Sequence, residues 1–239
     1  MDLENLVVDA ADPRRLGRFW EAALGCTPLT DEPEGYETRL AVGDAFALDL
    51  CFQRVPGRPP SGPRLHPDLH PGADQARTVD RLLGLGARPL DIGQGDVPWV
   101  VLADPEGNAF CVLEERPVHA RTGPLAALPL ASAAPRRDGA FWAWLTGWES
   151  MPAVDPVSLR HPSGRGPLLE LVPERAAKGA AKNRLHLDVR LGPDDDPGAI
   201  AAGIAARGGR ELHPDWGALP WRVFADPSGN EFCVLPARA

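Results

Sequence analysis

Residues Ala103–Leu113 read ADPEGNAFCVL, and residues Ala225–Leu235 read ADPSGNEFCVL. The two Asp-Pro pairs are 226 − 104, or 122, residues apart in a chain of 239 residues. A repeat at about half the chain length indicates a duplicated unit. Within each copy, proline early and glycine late in the D-P-x-G-N segment predict a tight turn between two strands.

Three further landmarks recur in the same order. Pro13–Trp20 (PRRLGRFW) returns as Pro135–Trp142 (PRRDGAFW), Pro98-Trp99 returns as Pro220-Trp221, and Arg64-Leu65-His66 returns as Arg184-Leu185-His186. The first two landmarks keep the spacing of 122 residues, and the third has a spacing of 186 − 66, or 120. We therefore predict two homologous domains, residues 1–118 and 124–239, joined by a linker at 119–123.

Composition limits the class of protein. The chain is 44% hydrophobic and 24% charged, which is typical of a soluble globular protein. A net charge of −8 and a pI near 5.3 argue against nucleic acid or an anionic membrane as partner. No secretory signal or membrane-spanning run is visible. Four cysteines without CxxC pairs suit reduced thiols, so we expect a cytoplasmic location.

A helix is predicted directly after the first strand of the chain. Asp12 and Pro13 suit its N-cap and first turn, and Leu16, Phe19, Trp20, Ala23 and Leu24 are spaced as one buried stripe. The same order of strand, helix and about three strands occurs twice in each half. The sequence therefore predicts an α+β protein of four βαβββ modules with curved mixed sheets. Two pairings stay open: modules 1 with 2 and 3 with 4, or modules exchanged between the halves.

These motifs carry a family resemblance. The paired modules, the D-P-x-G-N hairpins and the NRLHLDV string resemble the glyoxalase, bleomycin-resistance and extradiol dioxygenase superfamily, also called vicinal oxygen chelate proteins. NRLHLDV and DPSGNEFCVL resemble its glyoxalase-like branch. The resemblance implies two tandem domains whose sheets form cups. It also implies a divalent metal in the cup, held by histidine and glutamate side chains on four strands.

The metal-ligand positions that the resemblance implies are only partly filled by metal-binding residues. They fall on Asn5, Gln53, His66 and Cys111 in the first half, and on Ala127, Glu170, His186 and Cys233 in the second. Amides are poor substitutes for carboxylates at a Zn, Fe or Mn centre, so we expect the full metal set to be missing. A divalent metal remains a candidate cofactor, with His186, Glu170 and Cys233 as candidate ligands.

Two histidines stand two residues before an aspartate on a predicted strand, so each pair shares one face. His66–Asp68 and His186–Asp188 suit acid-base catalysis, although each pair also fits simple mutual hydrogen bonding. Cys111 and Cys233 are expected to line the cups. Trp99 and Trp221 are candidates for a ligand-stacking wall, whereas Trp20 and Trp142 are expected in the core. The remaining histidines are expected at the surface: His70, His119, His161 and His213.

Two functions follow from these residues. The first is a binding protein whose cup encloses a small organic molecule, aromatic or natural-product-like. The alternative is an enzyme of lyase or isomerase type that uses a divalent metal or metal-free His-Asp chemistry. In both cases the expected partner is a small molecule, with no nucleic acid and no membrane, and the chain is expected to be a monomer or homodimer.

Overall fold

The structure is a computed structural model that describes residues 1–55, 63–152, 156–215, 217 and 219–238. The first half forms two modules of one strand, one helix and three strands. Module 1 contains β1 (Asp2–Ala10), α1 (Pro13–Leu24), β2 (Thr27–Asp31), β3 (Gly35–Ala41) and β4 (Ala47–Arg54). Module 2 contains β5 (Asp68–Leu69), α2 (Gln75–Leu85), β6 (Arg88–Pro89), β7 (Val100–Ala103) and β8 (Ala109–Val112).

A short 3-10 helix (Pro117–His119) leads into the second half, which repeats the order of elements. Module 3 contains β9 (Leu125–Ser132), α3 (Pro135–Thr146), β10 (Glu149–Ser150), β11 (Val157–Arg160) and β12 (Leu168–Pro173). Module 4 contains β13 (Leu185–Arg190), α4 (Pro197–Ala206), β14 (Arg210–Leu212), β15 (Arg222–Ala225) and β16 (Glu231–Leu235). The predicted fold class, four βαβββ modules in an α+β protein, is confirmed.

The two sheets decide which modules pair. The first sheet has the order β14-β15-β16-β13-β1-β4-β3-β2, and the second has the order β10-β11-β12-β9-β5-β8-β7-β6. Module 1 therefore shares a sheet with module 4, and module 2 shares a sheet with module 3. Antiparallel pairing of β1 with β13, and of β5 with β9, joins the modules at the centre of each sheet. The modules are thus exchanged between the halves.

Each sheet has one face covered by helices and one face turned away from them. Leu6, Val8, Leu187 and Phe232 lie on the helix-covered face and belong to the main hydrophobic core. Side chains alternate along a strand, so the intervening residues lie on the opposite face. We name the opposite face of the first sheet cup A and that of the second sheet cup B.

Helix α1 shows how local sequence produces an element. Asp12 accepts a hydrogen bond from the Arg15 amide at 3.1 Å, and Pro13 occupies the first turn. Gly25 ends the helix with φ 68°, a left-handed conformation that glycine adopts without steric cost. The predicted stripe of Leu16, Phe19, Trp20, Ala23 and Leu24 is buried.

The D-P-x-G-N hairpins fasten the modules of each half together. Asp104 accepts hydrogen bonds from the amides of Glu106 and Asn108, both at 2.9 Å, and from the indole of Trp20 on α1 at 3.2 Å. Asp226 repeats the indole bond with Trp142 on α3, again at 3.2 Å. Each hairpin of one sheet therefore holds a helix that covers the other sheet.

Two local features differ from the sequence analysis. Strand β2 was not predicted individually, because all its residues except Thr30 are exposed and it forms a sheet edge without a buried face. His119, expected at the surface, is buried with 2% exposure because the linker folds it against the protein. None of the described helices combines the length and apolar character needed to cross a bilayer.

Candidate functional site

Alternation along β13 brings a histidine and an aspartate to cup A. Leu185 and Leu187 point to the helices, so His186 and Asp188 lie on the opposite face. Cys233 on β16 is in register with Asp188. On the other side, Asn5 of β1 is in register with Asp188 and donates a hydrogen bond to its Oδ2 at 3.1 Å.

The duplication places the same three residue types in cup B. His66 and Asp68 lie at the start of module 2, and Cys111 on β8 is in register with Asp68. We name His66, Asp68 and Cys111 triad B, and His186, Asp188 and Cys233 triad A. In each triad the ligand atoms of the three side chains lie within 4.8 Å of one another. The histidine Nε2 and aspartate Oδ1 are 3.4 Å apart in both triads.

The two triads differ in their exposure to solvent. The His186 side chain is 8% exposed, whereas the His66 side chain is 27% exposed. Burial lowers the pKa of His186 to about 3 and raises the pKa of Asp188 to about 7. Burial, followed by the adjacent aspartate, also raises the pKa of the Cys111 and Cys233 thiols. Triad A is therefore a closed cluster whose charged forms are disfavoured by desolvation.

Triad B opens into a cavity of about 520 Å³. This volume falls in the range of ligand pockets in proteins, about 300–1,000 Å³. His66 and Cys111 line the cavity together with apolar side chains of the sheet: Val101, Ala109, Ala131 and Val172. Residues 174–183, which we name the strap, connect module 3 to module 4 and supply much of the remaining wall.

Small residues on cup B explain the free volume. Strand register and the repeat make Ala131 the counterpart of Asp9, and Ala109 the counterpart of Glu231. In cup A these two acids are held by strap lysines, with Asp9 2.6 Å from Lys182 and Glu231 3.0 Å from Lys178. An alanine cannot fill the volume of a carboxylate side chain, so the same sheet geometry leaves space in cup B.

Comparison with known proteins agrees with this architecture. The sequence profile of the glyoxalase-like domain matches residues 5–113 and again residues 127–235. The chain belongs to the glyoxalase-like domain family. Among curated proteins, none matches this sequence significantly.

Solved structures share the fold across the whole chain. Glyoxalase I from Zea mays superposes with a TM-score of 0.66 at 18% identity, covering 98% of this chain and 92% of the maize chain. A putative dioxygenase from Bacillus subtilis superposes with a TM-score of 0.64 at 17% identity, covering 100% of this chain and 86% of that chain. At these identities the similarity shows a shared fold and nothing about activity.

The structure separates the ligand positions that the family resemblance implied. Asn5 lies beside triad A, and Ala127 occupies the corresponding position beside Asp68 in cup B. Gln53 lies two residues beyond Cys51 on β4 and is in register with Asp9, so it is not adjacent to Asn5. The register makes Cys51, and not Gln53, the counterpart of Glu170.

Glu170 does not join His186 and Cys233. It lies on β12 of the second sheet, whereas the other two lie on the first sheet, because the modules are exchanged between the halves. The metal set of His186, Glu170 and Cys233 is therefore not brought together. Glu170 instead faces His119, with 3.9 Å between the Oε1 and Nε2 atoms. The proline-rich linker sequence gave no sign that His119 is buried there.

The tryptophans occupy several environments. Trp20 and Trp142 are buried in the core, as expected. Trp99 packs against the apolar cluster of Val101 and Cys111, and Trp221 packs against the equivalent cluster in cup A. Neither Trp99 nor Trp221 is among the described residues that line the cavity. The strap residues that do line it, including Glu174 and Arg175, were missed because a loop rich in alanine carries no ligand motif.

The fold family implies a divalent metal, and both triads fit one. Asp68 Oδ1, Asp188 Oδ1 and His186 Nδ1 are buried and have no hydrogen-bond partner among the described residues. Buried polar atoms are nearly always satisfied, so orphaned oxygens beside an imidazole and a thiol are consistent with an ion-binding role. Imidazole, carboxylate and thiolate together form a donor set that zinc-like ions accept. The aspartates, which the sequence analysis treated as histidine partners, place a carboxylate beside each histidine.

Proposed function

We propose that this glyoxalase-like protein binds a small organic molecule in the cavity of cup B, against triad B. The observation that carries the proposal is the cavity of about 520 Å³ that reaches His66 and Cys111. Its sheet-side wall is mainly apolar, which suits an aromatic or alicyclic body. Triad B adds hydrogen-bonding groups at one place on that wall, which would orient a carbonyl or hydroxyl group of the ligand.

The charges around the cavity favour a ligand with one anionic group. Arg64 is already paired with Glu174 at 2.8 Å, and Lys178 with Glu231 at 3.0 Å. Arg175 also lines the cavity. Among the described residues it makes no ion pair, and its side chain donates a 3.5 Å hydrogen bond to the Ile92 carbonyl. A carboxylate or sulfonate on the ligand would supply the missing partner.

Two fluorescent probes with the same apolar body test this proposal. 8-Anilinonaphthalene-1-sulfonate carries one negative charge, and N-phenyl-1-naphthylamine lacks it. Val172→Phe should fill the cavity and weaken both probes at least about tenfold, equal to about 1.4 kcal/mol. Gln53→Phe is the matched control because Gln53 is the counterpart of Val172 in cup A, and it should leave both affinities unchanged.

Arg175→Gln should weaken only the sulfonate probe, by about twofold to fivefold, because an exposed ion pair contributes up to about 1 kcal/mol. Binding that is lost in Gln53→Phe but kept in Val172→Phe would place the ligand in the wrong cup and refute the proposal. If Arg175→Gln weakened both probes equally, the anionic group of the ligand would be refuted, whereas binding in cup B would not be affected.

Catalysis in the same cup is the second candidate, and the partly exposed imidazole of His66 next to Asp68 favours it. His66 can take a proton from a carbon next to a carbonyl group, with Asp68 orienting the ring. In the alternative, metal-dependent route, triad B would hold a divalent ion with His66 as a ligand and not as the base, and the ion would supply Lewis-acid polarisation of that carbonyl. Deuterium uptake into the methyl group of acetophenone in D₂O, followed by NMR, should require His66 and persist in His186→Gln. Equal rates in wild type and His66→Gln would exclude this chemistry.

The cysteines favour a cytoplasmic location. The four cysteines are free thiols in the structure, and no disulfide is formed between them. Reduced thiols are typical of reducing compartments. We therefore propose that the protein is cytoplasmic.

A further inference from the structure

The geometry points to two zinc-type metal sites per chain, one at triad A and one at triad B, each built by a single module. This arrangement differs from the set of histidines and glutamates on four strands that the family resemblance implies. In each triad the donors are an imidazole, a carboxylate two residues later in the chain and a thiol on the neighbouring strand.

The distance between the donors suits a shared ion. The Nε2 and Oδ1 atoms are 3.4 Å apart in both triads. An N–H···O hydrogen bond prefers about 2.7–3.2 Å, so the pair is too long for a good one. Two ligands bound to one tetrahedral ion at about 2.0–2.2 Å lie about 3.4 Å apart. The observed spacing is therefore that of two donors sharing an ion.

Both triads contain the same unsatisfied aspartate oxygen. Asp68 Oδ1 and Asp188 Oδ1 are both buried, both face the histidine Nε2, and neither has a hydrogen-bond partner among the described residues. Leaving a buried carboxylate oxygen unsatisfied is costly, because the hydrogen bonds that it loses to water are not replaced. The same cost in both copies of the duplicated unit is consistent with a missing partner that both copies share.

A divalent ion would also balance the charge of each triad. An aspartate and a cysteine thiolate carry two negative charges, which a divalent cation cancels while the histidine binds as the neutral imidazole. Binding would convert the thiol into a metal-bound thiolate and release one proton to solvent. The buried site would then be neutral as a whole, which removes the main cost of placing charge in triad A.

The two sites should differ in access. Triad A is enclosed, so its ion would have a structural role, with Asn5 adjacent through its hydrogen bond to Asp188 Oδ2. Triad B faces the cavity, so its ion would keep a coordination position open toward the space where we propose that the organic ligand binds. The inference about metal does not depend on ligand binding, and metal can be measured in the absence of any organic molecule.

Cobalt(II) titration of chelator-treated protein tests the inference. Wild type should bind about two ions per chain and show a near-ultraviolet thiolate-to-cobalt charge-transfer band. His66→Ala and His186→Ala should each lose one ion, and His213→Ala is the matched control because His213 is exposed. Cys111→Ser and Cys233→Ser should each remove about half of the band.

The serine variants keep the side-chain volume, so they test the site even if His186→Ala does not fold. Fewer than two ions per chain in folded wild type would overturn the twin-site inference. A charge-transfer band that survives in the double Cys111→Ser/Cys233→Ser variant would overturn it as well.

Discussion

The two cups of this protein arise from one duplicated module pair, yet only one of them is lined by small residues around its triad. Cup B has small or aliphatic residues where cup A has acids or an amide. The counterparts are Ala126 and Glu4, Ala127 and Asn5, Ala131 and Asp9, Leu168 and Asp49, and Ala109 and Glu231. The triad itself is identical in both. Duplication therefore preserved the chemical group, and the flanking residues decide whether that group is accessible.

The acids of cup A are satisfied by basic residues. Arg39 contacts both oxygens of Asp49 at 2.7 Å, and Arg190 contacts both oxygens of Glu4 at 2.5 Å. Such bidentate pairs fix side chains in one geometry. Cup A is thus filled by a network that holds its strands together, whereas cup B leaves the equivalent volume open.

The largest expected effect comes from breaking the network of cup A. Lys182→Met removes the partner of Asp9, whose side chain is only 3% exposed. We expect the free energy of unfolding in urea to fall by about 2–3 kcal/mol, because a buried charge is left without its partner. Arg77→Gln, which removes an exposed pair with Asp74, should cost less than about 0.5 kcal/mol.

Asp9→Ala in the Lys182→Met background sharpens this comparison, because it gives cup A the alanine found at Ala131 of cup B. The double variant should be at least as stable as Lys182→Met alone, since the unpaired charge is gone. A single variant as stable as wild type would show that the lysine pair does not hold cup A together.

The next effect comes from giving cup B a side chain of cup A. Ala109→Glu introduces the residue found at Glu231 and places a carboxylate in the cavity. Both naphthyl probes should bind at least about tenfold more weakly, or about 1.4 kcal/mol. Ala199→Glu, on the exposed side of α4, is the control. Unchanged binding in Ala109→Glu would contradict the difference between the cups.

Much of the fold follows from the sequence because its signals are local. The repeat, the capped helix α1 and the alternation that places His186 and Asp188 on one face are each contained in short segments. The exchange of modules between the halves is not contained in a short segment, because β1 and β13 are about 180 residues apart. Either pairing of the modules satisfies the same hydrogen-bonding pattern. For a related reason, the sequence did not show that Cys51, and not Gln53, is the counterpart of Glu170. Strand register is set by the partner strand, which lies elsewhere in the chain.

The cavity could not be predicted either. It depends on the absence of bulk at Ala109 and Ala131 and on the strap, whose position is fixed by lysine contacts with the other sheet. The burial of His119 likewise results from the path of the linker. Such features arise from tertiary packing between distant segments, for which a single sequence has no periodic signal.

The smallest expected effect is on thiol reactivity. Burial raises the pKa of both the Cys111 and Cys233 thiols, so both should react slowly with iodoacetamide at pH 8. Cys111 lines the cavity, so in chelator-treated protein it should be alkylated about threefold faster than Cys233, measured by peptide mass spectrometry. Saturation with the sulfonate probe should remove this difference. A faster reaction at Cys233 would mean that cup A is the more accessible site.

The most direct test of the difference between the cups is to locate a bound aromatic anion by crystallography. Crystals soaked with 4-iodobenzoate report the position of the iodine through its anomalous scattering. We predict one strong peak in cup B, between Val172 and His66, with the carboxylate directed toward Arg175. A peak beside His186 in cup A, or no peak in cup B at saturating concentration, would contradict the account.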